Sequence, residues 1–437
     1  MKRKLILTSL LLLITLSVPF SLFGQDFEMN GTVLVKYNGN AANVTIPAGV
    51  TAIGDWAFSY CINLRSITIP SSVTSIGDYA FNNCSSLTNI TIPSSVTSIR
   101  DGAFYDCSSL TSITIPSSVT SIGEAAFYEC SSLISISISS SVTSIGEATF
   151  AVCSSLTNIT IPSSVTSIGD YAFSSCSSLR SITIPNSVTH IGNRAFYKCT
   201  SLASITADTQ NREYSSIDGV LFNKNRAVIV AYPAGKQERT YTIPSSVTSI
   251  GESAFSGCSR LTGIIIPSSV TSIGESVFSG CSLTSITIPS SVTSIGDYAF
   301  VGCENLISIT VDTQNREYSS IDGILFNKNK TVIIAYPSGK QGRTYTIPSS
   351  VTSIGDGAFY ECSSLTGVTI PSSVTSIGND AFFGCSSLTS ISLPSSVTSI
   401  GEGAFVGCES LTRVTIYRRT IIGEYAFPST AQIAYSD

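Results

Sequence analysis

The sequence predicts an α/β repeat solenoid, a stack of short coils that share one apolar core. The heptapeptide SSVTSIG occurs ten times unchanged along the 437 residues. Seven cysteines from Cys61 to Cys199 are each 23 residues apart, and the other six recur at nearly the same interval after two gaps of 59 residues. A fixed period of this size is typical of repeat proteins, so it overrides the several globular domains that length alone would suggest.

The chain begins with a predicted signal peptide, residues 1–24. Residues 2–4 are basic, residues 5–23 are apolar, and Gly24 offers a cleavage point. An uncleaved anchor helix remains the alternative, although Pro19 and the small Gly24 favour cleavage. We expect no membrane span in the chain after cleavage.

One coil, residues 87–109, illustrates the repeat. Ile90 and Ile92 alternate with polar residues, which is the period-2 pattern of a half-buried strand, and Pro93 ends that strand. A second apolar pair, Val96 and Ile99, follows. The spacing of Ala103, Phe104 and Cys107 then predicts a short helix that begins at a Gly-Asp or Gly-Glu corner in most coils.

Stacking these coils predicts a curved molecule. Adjacent strands lie roughly 4.8 Å apart, whereas packed helices need roughly 8–10 Å. We therefore expect the parallel β-sheet on the concave face and short helices or turns on the convex face.

The repeat is similar to the BspA-like class of leucine-rich repeats, as in CSSLTNITIPSSVTSIGDYAF from Cys153 to Phe173. The similarity covers nearly the whole chain after the signal peptide, and it implies a leucine-rich-repeat-like, right-handed superhelix. It also implies a secreted or cell-surface protein that binds host or matrix proteins such as fibronectin or fibrinogen. The chain departs from the commonest leucine-rich repeats at one slot, where Ser95 replaces an asparagine that usually forms a ladder between coils.

The period divides the chain into regions. Two nearly identical segments interrupt it, and we predict that each is a β-hairpin insertion, because two apolar runs flank an Asn-Lys-Asn turn in both. The regions are an N-terminal cap (25–48), leucine-rich repeats (49–203), the first insertion (204–244), repeats (245–307), the second insertion (308–348), repeats (349–427) and a C-terminal tail (428–437). Between Cys281 and Leu283 one serine is missing, so we expect a tighter corner in that coil.

Composition and motifs disfavour several functions. A net charge of −5 and 12% charged residues give no clustered cations for nucleic-acid binding. The single histidine, His190, has no second histidine for a metal site and no nucleophile in register. We expect no enzyme activity, no catalytic residue, no cofactor and no metal, and we expect a monomer.

Two residue columns leave alternatives open. The thirteen cysteines are expected to be buried free thiols, although neighbouring coils would place them within disulfide range. The acidic residues after the corner glycine, such as Asp78 and Glu124, are expected to cap helices. Calcium binding between coils is the alternative for these carboxylates.

Charged and aromatic residues concentrate in the two insertions, and tyrosine and arginine are the usual anchors of protein interfaces. Their equally favoured alternative role is to complete a structural insertion. The candidate protein-binding residues are Arg212, Tyr214, Tyr232, Arg239, Arg316, Tyr318, Tyr336 and Arg343.

A second candidate surface is the outward face of the strands, where serine and threonine alternate, as at Ser112 and Thr114 or Ser181 and Thr183. Such a hydroxyl ladder resembles the faces of ice-binding solenoids. The simpler explanation is that threonine favours strands. A structural or ice-binding solenoid is therefore the alternative to a protein-binding adhesin.

Overall fold

A computed structural model describes residues 26–436. The predicted signal peptide lies outside these residues. The described chain is a parallel-strand solenoid, and each regular coil contributes to two sheets. In the coil described above, Asn89–Ile90 pairs in parallel with Ser66–Thr68, and Ser98–Ile99 pairs in parallel with Ser75–Ile76. The predicted strand is therefore confirmed, and the second apolar pair, Val96 and Ile99, ends in a further short strand that we did not predict.

The strands fall into three blocks: the first block is residues 26–207, the second 208–311 and the third 312–436. In the first block the strands are β1 (Phe27–Asn30), β2 (Val33–Tyr37), β3 (Asn43–Thr45), β4 (Ala52–Ile53), β5 (Ser66–Thr68), β6 (Ser75–Ile76), β7 (Asn89–Ile90), β8 (Ser98–Ile99), β9 (Ser112–Thr114), β10 (Ser121–Ile122), β11 (Ser135–Ser137), β12 (Ser144–Ile145), β13 (Ser167–Ile168), β14 (Ser181–Ile184), β15 (His190–Ile191) and β16 (Ser204–Ala207). In the second block they are β17 (Tyr214–Ile217), β18 (Val220–Asn223), β19 (Val228–Ala231), β20 (Thr240–Thr242), β21 (Ser249–Ile250), β22 (Gly263–Ile265), β23 (Ser272–Ile273), β24 (Ser285–Ile288), β25 (Ser294–Ile295) and β26 (Ser308–Val311). In the third block they are β27 (Tyr318–Ile321), β28 (Ile324–Asn327), β29 (Val332–Ala335), β30 (Thr344–Thr346), β31 (Ser353–Ile354), β32 (Gly367–Thr369), β33 (Ser376–Ile377), β34 (Ser390–Ser392), β35 (Ser399–Ile400), β36 (Arg413–Tyr417), β37 (Ile421–Ile422) and β38 (Gln432–Ser436).

Residues 26–436 contain no helix, so the predicted short helices are wrong. The stretch from the corner to the cysteine in each coil is a run of turns, which we call the turn segment. In the turn segment of residues 100–107, alternate N–H groups donate forward to the next coil, as from Phe104 to the Ala126 carbonyl at 2.8 Å. Gly102 and Asp106 have φ of 57° and 51°. A left-handed residue at these two places prevents the bonds to the carbonyl four residues back that a helix requires.

The turn segments stack as closely as the strands do. The rings of Phe81 and Phe104 are 5.3 Å apart between centroids, and those of Phe104 and Phe127 are 5.4 Å apart. This distance is close to the spacing of paired strands, whereas the expected curvature required wider helix packing. Without helices, the coils have no wider side, so packing distance does not require the sheet to lie on the concave face.

The corner glycine allows neighbouring coils to approach each other. Its φ is not positive at Gly77 or Gly123, and a Cβ added to Gly123 would lie 2.4 Å from the backbone nitrogen of Asp101. We had expected the carboxylate that follows the corner to cap a helix. Instead, the Asp101 Oδ1 atom accepts a 2.9 Å hydrogen bond from the backbone N–H of Glu124 in the next coil. Both features serve contact between coils.

The cysteine column lies in the core as predicted. All thirteen cysteines are free thiols; twelve are buried, and Cys61 is half-buried. Each of the regular thiols donates to a phenylalanine carbonyl of the preceding coil, as Cys107 Sγ does to Phe81 at 3.1 Å. The shortened coil at Cys281 lacks the hydrogen-bonded turn that elsewhere joins the cysteine to the leucine three residues later.

Each insertion is a three-stranded antiparallel unit. We call β17–β19 the first module and β27–β29 the second module, and their strands pair in sequence order. The predicted hairpins correspond to the last two strands of each module, and the strand at Tyr214–Ile217 and its counterpart were missed. Each module then joins the regular stack, because β19 pairs in parallel with β21 and β29 with β31.

Each module is a layer of strands that separates the apolar cores of two blocks. Neither module projects from the solenoid. The described residues form three separate apolar cores. On β18, Leu221 belongs to the first core, whereas Val220 and Phe222 belong to the second. On β28, Leu325 belongs to the second core, whereas Phe326 belongs to the third. A strand that is buried on both faces explains why these segments are continuously apolar.

The modules also bend the molecule. At the first bend, the module adds three strands between β15 and β21 on the sheet side. On the turn side, Arg194 of the first block directly contacts Ser253 of the second block, and Tyr298 contacts Asp380 across the second bend. The turn segments therefore lie on the inner side of both bends, which is the reverse of the predicted curvature.

Candidate binding surfaces

The four predicted arginines lie at the surface of the modules and their connections. Arg212, Arg239, Arg316 and Arg343 are all exposed. Most neighbouring outward positions on the regular coils carry serine or threonine. Each insertion therefore contributes two exposed arginines to the surface.

The four predicted tyrosines lie elsewhere. Tyr232 and Tyr336 are only 6% and 5% exposed. Each ring begins a phenylalanine column, because Tyr232 stacks on Phe255 at 5.0 Å and Tyr336 on Phe359 at 5.1 Å. These two tyrosines complete the core, so they are not available to a partner at the surface.

Tyr214 and Tyr318 are half-buried and hold the modules in place. The Tyr214 hydroxyl accepts a 2.9 Å hydrogen bond from the Ile191 N–H, and the Tyr318 hydroxyl accepts a 2.8 Å bond from the Ile295 N–H. Burial raises the pKa of both phenols. Their hydroxyls replace the next strand as partners for β15 and β25.

Two buried asparagines, which the sequence analysis missed, position the start of each module. The Asn211 side chain donates to the Pro185 and Val188 carbonyls at 2.6 and 3.0 Å and accepts bonds from the Glu213 and Tyr214 N–H groups. Asn315 makes the equivalent four bonds. The repeated string NREYSS was the available signal, because an identical polar residue in both modules indicates a structural requirement.

The hydroxyl face exists, but it is discontinuous. Ser112, Thr114, Ser181 and Thr183 are exposed on their strands. Residues 158–160 form no strand, and both modules interrupt the series. The slot that departs from common leucine-rich repeats still forms a ladder, because the Ser95 hydroxyl donates to the Val73 carbonyl of the preceding coil at 2.6 Å.

The inner side of the first bend centres on Arg194, another residue that the sequence analysis missed. Its guanidinium donates to the Ser253 and Ser276 hydroxyls at 3.0 and 2.9 Å and to the Tyr171 hydroxyl at 2.7 Å. It also lies 3.4 Å from a carboxylate oxygen of Glu275. One side chain thus joins the turn segments of two blocks.

The inner side of the second bend is acidic and aromatic. Tyr298 donates to the Asp380 Oδ2 atom at 3.3 Å. Burial raises the pKa of Tyr298, and the negative charges of Asp380, Asp356 and Asp297 raise it further. This group of side chains offers hydrogen-bond acceptors and ring faces to a cation.

The described residues contain no group of three or more His, Cys, Asp or Glu side chains that could hold a metal ion. None of the described elements is a helix that could cross a membrane.

Comparisons with known proteins agree with this fold. A leucine-rich cell surface protein from Faecalibacterium prausnitzii A2-165 is 32% identical, with a TM-score of 0.56 over 95% of this chain and 94% of that chain. A leucine-rich repeat protein from Eubacterium ventriosum ATCC 27560 is 28% identical, with a TM-score of 0.53 over 86% of this chain and 90% of that one. The search of curated proteins found no match.

A family profile matches most of the chain. The profile is the BspA type leucine-rich repeat region of six copies, and it matches residues 35–155, 120–229, 231–342 and 338–436. The similarity inferred from the coil sequence is thereby confirmed. The chain belongs to the BspA-type leucine-rich repeat family.

Proposed function

We propose that this chain is a secreted or cell-surface protein that binds other proteins and adheres to host or extracellular-matrix proteins. The observation that carries the proposal is the exposure of two arginines in each of the two insertions. Arginine is enriched at protein interfaces and presents a planar set of donors. Membership of the BspA-type family and similarity to a cell surface protein support the proposed location.

Binding can be measured on immobilised fibronectin and fibrinogen by biolayer interferometry. We expect saturable binding of the purified chain to at least one of them. Replacing Arg212, Arg239, Arg316 and Arg343 together with alanine should weaken that binding about tenfold or more, because interface arginines often contribute more than 1 kcal/mol each. These side chains are exposed, so the variant should remain folded.

The matched control replaces the same number of exposed arginines outside the insertions, Arg65, Arg100, Arg180 and Arg413, with alanine. This variant should bind like the parent chain. Equal weakening in both variants would show a general charge effect, and an absence of binding across a panel of matrix proteins would remove the adhesion proposal.

Secretion is tested separately. Expression of the full chain in a bacterial secretion system should yield a processed protein whose N-terminus lies near Gln25, as measured by intact mass. Retention of residues 1–24 in the membrane fraction would favour the anchor alternative.

A further inference from the structure

The two bends are copies of one arrangement that differ in charge. The two insertions are 104 residues apart, and the same offset relates Arg194 to Tyr298 and Glu252 to Asp356. One copy can therefore serve as the reference for the other. The first bend contains its own cation, whereas the second has tyrosine in that position.

At the first bend, each of the three guanidinium nitrogens of Arg194 has a partner. Besides its bonds to Ser253, Ser276 and Tyr171, it lies 3.9 Å from a carboxylate oxygen of Glu252 and 5.7 Å from the centre of the Tyr171 ring. Hydroxyl acceptors, the carboxylates of Glu252 and Glu275 and an aromatic face thus surround one guanidinium, which is the set of partners that arginine prefers.

At the second bend, two carboxylates are present and the cation is missing. Asp356 corresponds to Glu252 and Asp380 to Ser276, whereas Asn379 replaces Glu275. Each bend therefore has two carboxylates at these positions, and only the first has an arginine to balance them. Among residues 26–436, neither Asp356 nor Asp380 has a cationic side chain within 4.0 Å. Arg194 borders the same open cavity as Asp380, but its donors are already bonded at the first bend.

The space at the second bend is also larger. A cavity of about 210 Å³ is lined by Tyr298, Tyr318, Asp356 and Tyr360, whereas the equivalent cavity at Arg194 has about 140 Å³. A neighbouring open cavity of about 470 Å³ continues from Tyr298 and Asp380. The site can therefore admit a side chain from outside.

We propose that the second bend binds an arginine side chain from a basic segment of a partner protein, which lies beside Tyr298 and supplies the cation that Arg194 supplies at the first bend. This inference rests on the proposed protein-binding function and names the chemistry of one partner segment. Arginine suits the site better than lysine, because its planar guanidinium can pair with a carboxylate and stack on a tyrosine ring together.

The test uses fluorescently labelled hexa-arginine and the purified chain in a polarisation titration. We expect one site per chain and weaker binding of hexa-lysine. Replacing Asp356 and Asp380 together with asparagine should weaken hexa-arginine binding about fivefold or more. The control for net charge is Glu124→Gln with Glu147→Gln, two exposed carboxylates in the first block, and it should leave binding unchanged.

Two exchanges test the comparison between the bends. Tyr298→Arg supplies the chain's own guanidinium, so it should abolish peptide binding while thermal unfolding shows a folded protein. Arg194→Tyr should create a second site and raise the stoichiometry to two peptides per chain. Unchanged peptide binding in Tyr298→Arg, or equal weakening in the charge control, would overturn the inference. Binding to fibronectin and fibrinogen is measured in parallel. That result tests the proposed function, whereas the peptide titration tests the arginine site.

Discussion

Val152 occupies a left-handed backbone position, with φ of 62°. Every regular coil has residues in this conformation, and five coils carry glycine at the same slot (Gly257, Gly280, Gly302, Gly384 and Gly407). A β-branched side chain is strained there, whereas glycine is not. Sequence reasoning could not find this slot, because residues as different as Tyr60, Glu129 and Lys198 also occupy it.

We therefore expect Val152→Gly to raise the free energy of unfolding by about 1 kcal/mol, since the relief of strain exceeds the entropic cost of glycine. Urea unfolding followed by circular dichroism would show a higher midpoint. The control is Ala151→Gly at the adjacent buried position, which has no positive φ and should lower the midpoint. A lower midpoint for Val152→Gly would contradict the assignment of strain.

The cysteine column gives a second prediction for single residues. Burial raises the pKa of Cys199 to about 12. Contact with the Cys84 thiol instead lowers the pKa of the half-buried Cys61. The lower pKa increases the thiolate fraction of Cys61 at neutral pH, and the thiolate is the reactive form.

At pH 7.5 we expect iodoacetamide to label native protein rapidly at Cys61 alone, as measured by peptide mass spectrometry. The rate should fall when the pH drops below the lowered pKa of this thiol. Cys61→Ser should remove the rapid phase. Equal labelling of Cys199 in native protein would show that the column is accessible.

Elements were predictable where several residues repeat one pattern. The strands around Ile90 were predicted from alternation, and the apolar runs of the modules were predicted as hairpin strands. The spacing of Ala103, Phe104 and Cys107 fits both a helix and a turn segment, so it could not exclude the helix. At the candidate sites, the exposed arginines were predicted, whereas Arg194 lies inside a regular coil and gave no local signal.

The two-faced strand β28 leads to a prediction at the scale of elements. Leu325 packs in the second core and Phe326 in the third. Leu325→Ala and Phe326→Ala should each cost about 2–5 kcal/mol, but in different blocks. Hydrogen exchange should become faster mainly in residues 220–311 for the first variant and mainly in residues 324–426 for the second. The same pattern of exchange in both variants would show that the blocks unfold together.

At the scale of the whole molecule, the bends decide the shape. Repeat proteins normally hold together through neighbouring coils alone. Here Arg194 joins turn segments that are 59 to 82 residues apart in the chain. This long-range contact keeps the first two blocks in one orientation.

Arg194→Ala should therefore open the first bend and increase the radius of gyration measured by small-angle X-ray scattering. High salt should open the parent chain only in part, because neutral hydroxyls provide most of the bonds. The matched control is Arg180→Ala, an exposed arginine that directly precedes β14 in the same block. An unchanged radius for Arg194→Ala would mean that the module alone sets the bend.

The backbone hydrogen bonds of the turn segments give the stack a direction, because each coil donates to the coil that follows it in the chain. Every alternate N–H, from Trp56 to Asp78 or from Phe382 to Ala404, points toward the C-terminal neighbour. In its turn segments, each block therefore has a donor end and an acceptor end, whereas corner and strand groups such as the Gly77 N–H donate to the preceding coil. Coils can be duplicated, removed or exchanged between blocks as whole units in the same orientation, but two donor ends cannot be joined. We expect chimaeras of this chain to fold only when the C-terminal coil of one block is followed by the N-terminal coil of the next.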